Sequence, residues 1–388
     1  MTKSKRIGEL PPYLFVEIDK KKAKAIASGI SIIDLGIGDP DLPTPQIIIE
    51  RLCQEVQNPA NHRYPAYNGS KEFRKGISDW YKKRFNVSLD PETEVLAVIG
   101  SKEGLAHLVW ALVDPCDYTL IPDPAYPVYR IQTILSGGKV FNMPLFPEND
   151  FLPDLRMIPA DILDKAKILF VNYPNNPTSA IAPIDFLKEV IEFGKRHNIV
   201  ICSDNAYVET TYDGYVAPSI LQIPGALDIA VEFYSFSKPF NMTGWRIGAA
   251  VGNKNVISKL SIIKTNTDSS QFTAIQHAAL AGFTIADEFL VQMNNIYKER
   301  RDILVGGLNS LGWLVKKPKG SLYVWAPVPK GYNSVSFSTM LLEKAGVIVT
   351  PGVAYGSNGK DFVRMSLTTP KEQIREFIER LSDLNLGL

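Results

Sequence analysis

Long hydrophobic runs are missing from this sequence. The longest, "ILFVNY" and "IVIC", are strand-sized, far short of the roughly 20 residues that a membrane span requires. An excess of one charge is missing too. A formal net charge of +1 over 388 residues leaves no electrostatic footprint for nucleic acid or an anionic lipid surface. The three cysteines (Cys53, Cys116, Cys202) are odd in number and widely spaced, which excludes a disulfide framework or a metal knuckle as the organising principle. The four histidines (His62, His107, His197, His277) fall into no H-x-x-H pattern, and the chain has no C-x-x-C, so no metal site is expected. The basic opening "MTKSKRIGELPPYLF" lacks a signal-like apolar core, and a cytoplasmic location is expected. Repeats, low-complexity tracts and long linkers are absent.

What is present is an ordinary globular composition, 45% hydrophobic and 21% charged, with a rhythm of strands and helices. "VLAVIG", "TLIPD", "ILFVNYP", "IVICSDNAY", "VEFYSFSK" and "RIGAAVG" are short, continuously apolar runs. Such runs mark strands buried on both faces, so the expected fold class is α/β, a mainly parallel central sheet flanked by helices. Helical patterns in "SKEGLAHLVWALV", "VYRIQTILSG" and "PIDFLKEVIEFGKRHN" separate them. From about residue 285 the texture changes to a long charged helix followed by "SLYVWAPV", "VIVTPGVAY" and "FVRMSL". The expected partition is a large domain over 46–284 and a smaller, discontinuous α+β domain over 1–45 and 285–388.

In sheets of this kind ligands sit beyond the carboxyl ends of the strands, and polar residues gather there: Gly100-Ser101, Asp123 to Tyr126, Asn172 to Asn176, Asp204 to Tyr207 and Ser235 to Lys238. Taken singly, each has a plain structural reading. Lys238 can be a paired lysine, Arg246 a salt-bridge arginine, Ser101 an N-cap, Asp204 a turn cap, and Tyr126 or Tyr207 core packing. Taken together they suggest an enzyme. A lysine held partly out of water has a lowered pKa and condenses with carbonyls. Arg246, with the hydroxyls of Ser235 and Ser237, makes a phosphate grip, and Ser101 opens a helix whose free N–H groups favour the same anion. A carboxylate as deep as Asp204 needs a cation, which a protonated pyridine nitrogen supplies. Tyr207 and Asn176 are placed to hydrogen-bond a ring hydroxyl, and Tyr126 to stack on a ring face. Lys102 competes for the carbonyl-condensing role, but sits on the opening turn of a helix. The set describes pyridoxal 5'-phosphate.

The spacing S-x-S-K-x7-R-x-G, with "NNPT" and "SDNAY" upstream, resembles the fold-type I, class I/II aminotransferases over essentially the whole chain. The resemblance implies that Lys238 bonds the cofactor, Asp204 pairs with the ring nitrogen, Tyr207 and Asn176 address the ring hydroxyl, and Tyr126 covers the ring. Ser101, Lys102, Ser235 and Arg246 fall at phosphate-binding positions, with Ser237 beside them. Arg364 in "FVRMSL" falls where the family holds the substrate α-carboxylate, and Gly38 in "GIGDPD" where a loop closes on substrate. Tyr64 in "YPAYNG" matches a tyrosine reaching the other subunit's phosphate, which implies a homodimer with shared active sites. Small-molecule substrates, an amino acid and a 2-oxo acid with 2-oxoglutarate as acceptor, are implied. "LGIGDPDLPTP", "NHRYPAYNG", "PENDFLPDL" and "FNMTGWRIG" resemble the bacterial diaminopimelate branch of that family; an alanine-type branch is the near alternative. Two departures stand near the site: Ser179 where glycine is usual, and Pro239-Phe240 where Thr-Tyr is commoner. Both are positions from which altered specificity is expected.

Overall fold

The computed structural model describes residues 4–10 and 14–384. Its strands, in chain order, are β1 (Ile33–Asp34), β2 (Val95–Val98), β3 (Tyr118–Asp123), β4 (Lys139–Pro144), β5 (Ala166–Val171), β6 (Val200–Asp204), β7 (Ala230–Ser235), β8 (Gly248–Gly252), β9 (Tyr323–Pro327), β10 (Val347–Ile348), β11 (Thr350–Pro351) and β12 (Phe362–Ser366). Seven of them form one sheet in the order β2-β8-β7-β6-β5-β3-β4. Only β8 runs against its neighbours.

Side-chain alternation explains why these strands read as unbroken apolar runs. Leu96, Val98, Ile168 and Phe170 enter a core shared with helices Ser101–Leu112, Val128–Ser136 and Lys254–Thr267. Their neighbours Val95, Ala97, Leu169 and Val171 enter a core on the opposite face, with helices Lys71–Phe85 and Ile184–His197. Strand β4 was not apparent from the sequence: it lies at the sheet edge, Met143 is its one fully buried residue, and its apolar residues are interrupted by Asn142 and bounded by Lys139 and Pro144.

A further core gathers Ile33 and Leu35 with Leu304, Leu308, Val324, Met340, Val363 and Phe377 around the antiparallel sheet β11-β12-β9. Parallel pairing of β1 with β10 fastens the N-terminal segment to it. The charged helix expected from about residue 285 is a continuous 38-residue helix, Thr273–Ser310. Ala278 and Ala286 pack in the sheet core, while Tyr297 and Leu304 pack in the other. This one helix therefore belongs to both cores and passes straight through residue 284, where the sequence texture changes.

Candidate active site

Since every strand of the large sheet except β8 runs the same way, the carboxyl ends of β2, β7, β6, β5 and β3 open along one edge. Asp204 ends β6 and is buried. Its Oδ2 accepts a hydrogen bond from the Tyr129 hydroxyl at 2.7 Å, whereas Oδ1 is buried without a partner. Burial raises the carboxyl to about 6, with the Tyr129 hydroxyl and the Ala206 amide pulling the other way. An orphaned carboxylate oxygen in a dry site calls for a cation or a strong donor opposite it.

Lys238 lies three residues beyond the end of β7, half-buried, and its amine donates to the Gly38 carbonyl at 2.5 Å. Burial lowers its pKa, and Arg364 and Arg246 push the same way against Tyr323 and Asp39. The neighbouring carbonyl of the same segment, Gly36 O, accepts from the Arg364 guanidinium at 2.7 Å, and Asn176 Oδ1 accepts from the other terminal nitrogen at 3.0 Å. Arg364 is buried, its Nε has no partner, and its guanidinium packs over the rings of Tyr323 and Tyr355 at 4.0 and 4.9 Å. Tyr207 is buried with its hydroxyl 2.8 Å from that of Tyr323. Lys238, Gly38, Arg364, Asn176 and Tyr207 thus form one linked cluster where the cores meet.

The expected phosphate cup lies beside it. Gly100 has φ 77° and caps helix Ser101–Leu112; a side chain there would run into the Arg246 guanidinium. Ser235 pairs in register with Gly248, and its hydroxyl accepts the Ser237 amide at 3.2 Å. The Arg246 carbonyl is held by Gln271 at 2.6 Å. Lys102 is exposed on the opening turn of its helix. Tyr126 stands edge-on to Tyr129, ring centroids 5.9 Å apart. Tyr64, by contrast, is 88% exposed and is not among the residues clustered around Lys238.

Both departures have a local explanation. Ser179 takes the left-handed conformation (φ 58°) that usually favours glycine, and its hydroxyl donates to the Tyr323 carbonyl at 2.7 Å. Phe240 is fully buried among Phe236, Phe283 and Phe289 and fills the core there. Glu103, His107 and Asp268 come close enough to resemble a metal cluster, but the Lys264 ammonium bonds both Glu103 and Asp268 at 2.9–3.0 Å.

Sequence reading missed Tyr129, Tyr323 and Tyr355. The available signals were modest: Tyr129 follows Tyr126 at a one-turn spacing, and Tyr323 lies two residues before Trp325, the register partner of Arg364, and so shares its face.

Residues 30–381 match the model of the family described as aminotransferase class I and II. The chain belongs to that family. It is 54% identical over 381 residues to LL-diaminopimelate aminotransferase of Moorella thermoacetica, covering 98% of each protein, and 49% identical over 383 residues to that of Aquifex aeolicus, covering 99% of each. Substrate-bound BacF of Bacillus subtilis superposes with a TM-score of 0.96 at 38% identity, covering 99% of this chain and 98% of that one. A Thermus thermophilus aspartate aminotransferase double mutant superposes with a TM-score of 0.92 at 28% identity, covering 99% and 100%. This aminotransferase has the type I fold and uses pyridoxal 5'-phosphate. The residues present fit that cofactor: Asp204 Oδ1 lacks a partner, Lys238 is an amine of lowered pKa, and the bare Gly100 leaves room for a cationic helix-end cradle. Among the described residues, no helix is long and apolar enough to cross a membrane.

Proposed function

We propose that this aminotransferase exchanges an amino group between LL-diaminopimelate and a 2-oxo acid, with 2-oxoglutarate as acceptor. The reading rests on full-length identities of 49–54% to enzymes named for that substrate. In it, residues 46–284 act as the cofactor-binding domain and residues 1–45 with 285–388 as the smaller one.

When bound, pyridoxal phosphate supplies an electron sink for negative charge developing at the substrate α-carbon. Lys238 is the amine that holds the cofactor; its depressed pKa keeps a share of it uncharged and nucleophilic. Released from that bond, the same amine would serve as general base and acid for the proton of the substrate α-carbon. Asp204 presents its vacant Oδ1 to the ring nitrogen and stabilises a proton there. Tyr207 and Asn176 address the ring oxygen, and Tyr126 covers a ring face. Ser101, Lys102, Ser235, Ser237 and Arg246 hold the phosphate. Arg364 takes the α-carboxylate in place of its present bond to Gly36 O, as a planar two-point clamp. Gly38 leaves the space for the loop to close. The working unit is a cytoplasmic homodimer in which Tyr64 of each chain reaches the phosphate held by the other; its exposure suits that role.

A half-reaction screen tests the specificity. Holoenzyme is mixed separately with LL-diaminopimelate, glutamate, alanine and aspartate, and conversion to the amine form of the cofactor is followed by absorption. Fast conversion by LL-diaminopimelate and glutamate is expected. Fast conversion by alanine with indifference to LL-diaminopimelate replaces this reading with the alanine-type one.

A further inference from the structure

We propose that Gln271 is a positioning residue for the cofactor phosphate: its carboxamide holds Arg246 in the left-handed backbone turn that lays the guanidinium against Gly100. The inference rests on the assignment of Arg246 to the phosphate made above.

Arg246 needs such a hold. It has φ 56° and ψ 56°, a conformation that a residue bearing a Cβ seldom takes. Its side chain has little else to steer it. Among the described residues the guanidinium bonds only the Thr243 carbonyl, at 2.7 Å, within its own turn. Where Cβ leaves the chain therefore decides where the guanidinium lies. In the left-handed turn it lies against the bare Cα of Gly100, where helix Ser101–Leu112 begins with its free N–H groups. An extended Arg246 would prolong β8 and carry the side chain elsewhere.

The Gln271 carboxamide matches the turn. Around a residue with helical dihedrals, of either hand, the preceding carbonyl and its own point the same way, whereas around an extended residue they point apart. Gln271 Nε2 donates to the Trp245 carbonyl at 2.8 Å and to the Arg246 carbonyl at 2.6 Å, so its two N–H groups bracket Arg246. Gln271 Oε1 accepts the Phe272 amide at 3.0 Å, which fixes the end of the carboxamide that faces the turn.

The loop bearing Gln271 is itself fastened. Gln276, fully buried, donates to the Gln271 carbonyl at 2.5 Å and accepts the Ser70 amide at 2.7 Å. Asp268 accepts the Ser270 amide at 2.6 Å. The buried Lys264 ties Asp268 to Glu103, and Glu103 stands in the first turn of the helix that Gly100 caps. The clamp on Arg246 and the start of that helix thus share one foundation.

The test compares two ligands of the apo-protein: pyridoxal 5'-phosphate, and pyridoxal, which has the same ring and aldehyde but no phosphate. Gln271→Met keeps the length of the side chain and removes both donors. Its affinity for pyridoxal 5'-phosphate is expected to fall about tenfold, the scale of a residue freed to leave the left-handed region. Its affinity for pyridoxal is expected to stay within about twofold of native. In an Arg246→Met background the same change adds nothing, because no guanidinium is left to aim. Equal loss for both ligands, an undiminished affinity for pyridoxal 5'-phosphate, or a full further loss in the Arg246→Met background overturns the proposal. Unchanged affinity in Arg246→Met alone refutes instead the assignment of Arg246 to the phosphate. Should Gln271→Met not fold, Gln271→Asn, whose shorter reach breaks the two-point hold, carries the same comparison with the same outcomes.

Discussion

The Tyr129 hydroxyl occupies one oxygen of Asp204 at 2.7 Å and leaves the other buried and unpartnered. Tyr129 thus orients the carboxylate without neutralising it, and the apo-protein holds a desolvated acid with one oxygen unpartnered.

That arrangement has a pH signature. The folded carboxyl titrates near 6, against an ordinary value of 3.8. Between those values the folded state binds more protons than the unfolded one, so this group's contribution is fully present below about 3.8 and is lost as pH rises through 6. Asp204→Asn removes the dependence. Apo Asp204→Asn is expected to match the native apo-protein near pH 4 and to exceed it near pH 7 by at most about 3 kcal/mol. Urea unfolding of both apo-proteins across that range checks it; a difference that does not grow with pH contradicts the assignment. In holoenzyme the same substitution acts oppositely and weakens cofactor binding.

Lys238→Ala is expected to abolish transamination and to remove the borohydride-reducible yellow chromophore, while the protein still folds. Mass spectrometry after borohydride treatment reads this directly. Continued covalent labelling at another lysine would transfer the role to that residue, and Lys102 is the first to inspect.

Gly100→Ala places a side chain at φ 77° against the Arg246 guanidinium. Strain at that angle alone costs about 1 kcal/mol, and displacement of Arg246 adds to it. Cofactor affinity is expected to fall at least about tenfold, measured by equilibrium binding to the apo-protein. An unchanged affinity removes Arg246 from the phosphate cup.

A homodimer with shared sites predicts a solution mass twice the 43.1 kDa of the chain. It also predicts weaker cofactor binding in Tyr64→Ala, although Tyr64 is 88% exposed on its own chain. Light scattering and cofactor titration test the two halves separately. A monomer, or full cofactor affinity in the variant, rejects the shared site.

The site residues found by reading the sequence were those whose chemistry is out of place: a lysine, an aspartate or an arginine at the end of an apolar strand has few inexpensive structural explanations. Tyr129 and Tyr323 escaped because a tyrosine in an apolar neighbourhood reads as packing, and only the fold shows where its hydroxyl ends. The sheet itself was legible because both its faces are buried, while β4, at the edge with only Met143 fully buried, was not. The Ser179 departure, read as a source of altered specificity, is held by a bond to the Tyr323 backbone, a contact spanning 144 positions that no local pattern contains. Phe240, the other departure, packs within an aromatic core, where any influence on specificity acts through the packing around it.

Lys238 and Arg364 are not idle in the absence of substrate: each donates to a backbone carbonyl of the segment around Gly36 and Gly38. Substrate capture is therefore an exchange against a competitor tethered within the same molecule, and measured affinities are differences from that internal bond. A segment that gripped harder would make a more ordered but slower enzyme. One that gripped less would leave a buried guanidinium unsatisfied in the resting state. The strength of the Gly36 carbonyl as an acceptor sets the threshold that an incoming carboxylate must exceed.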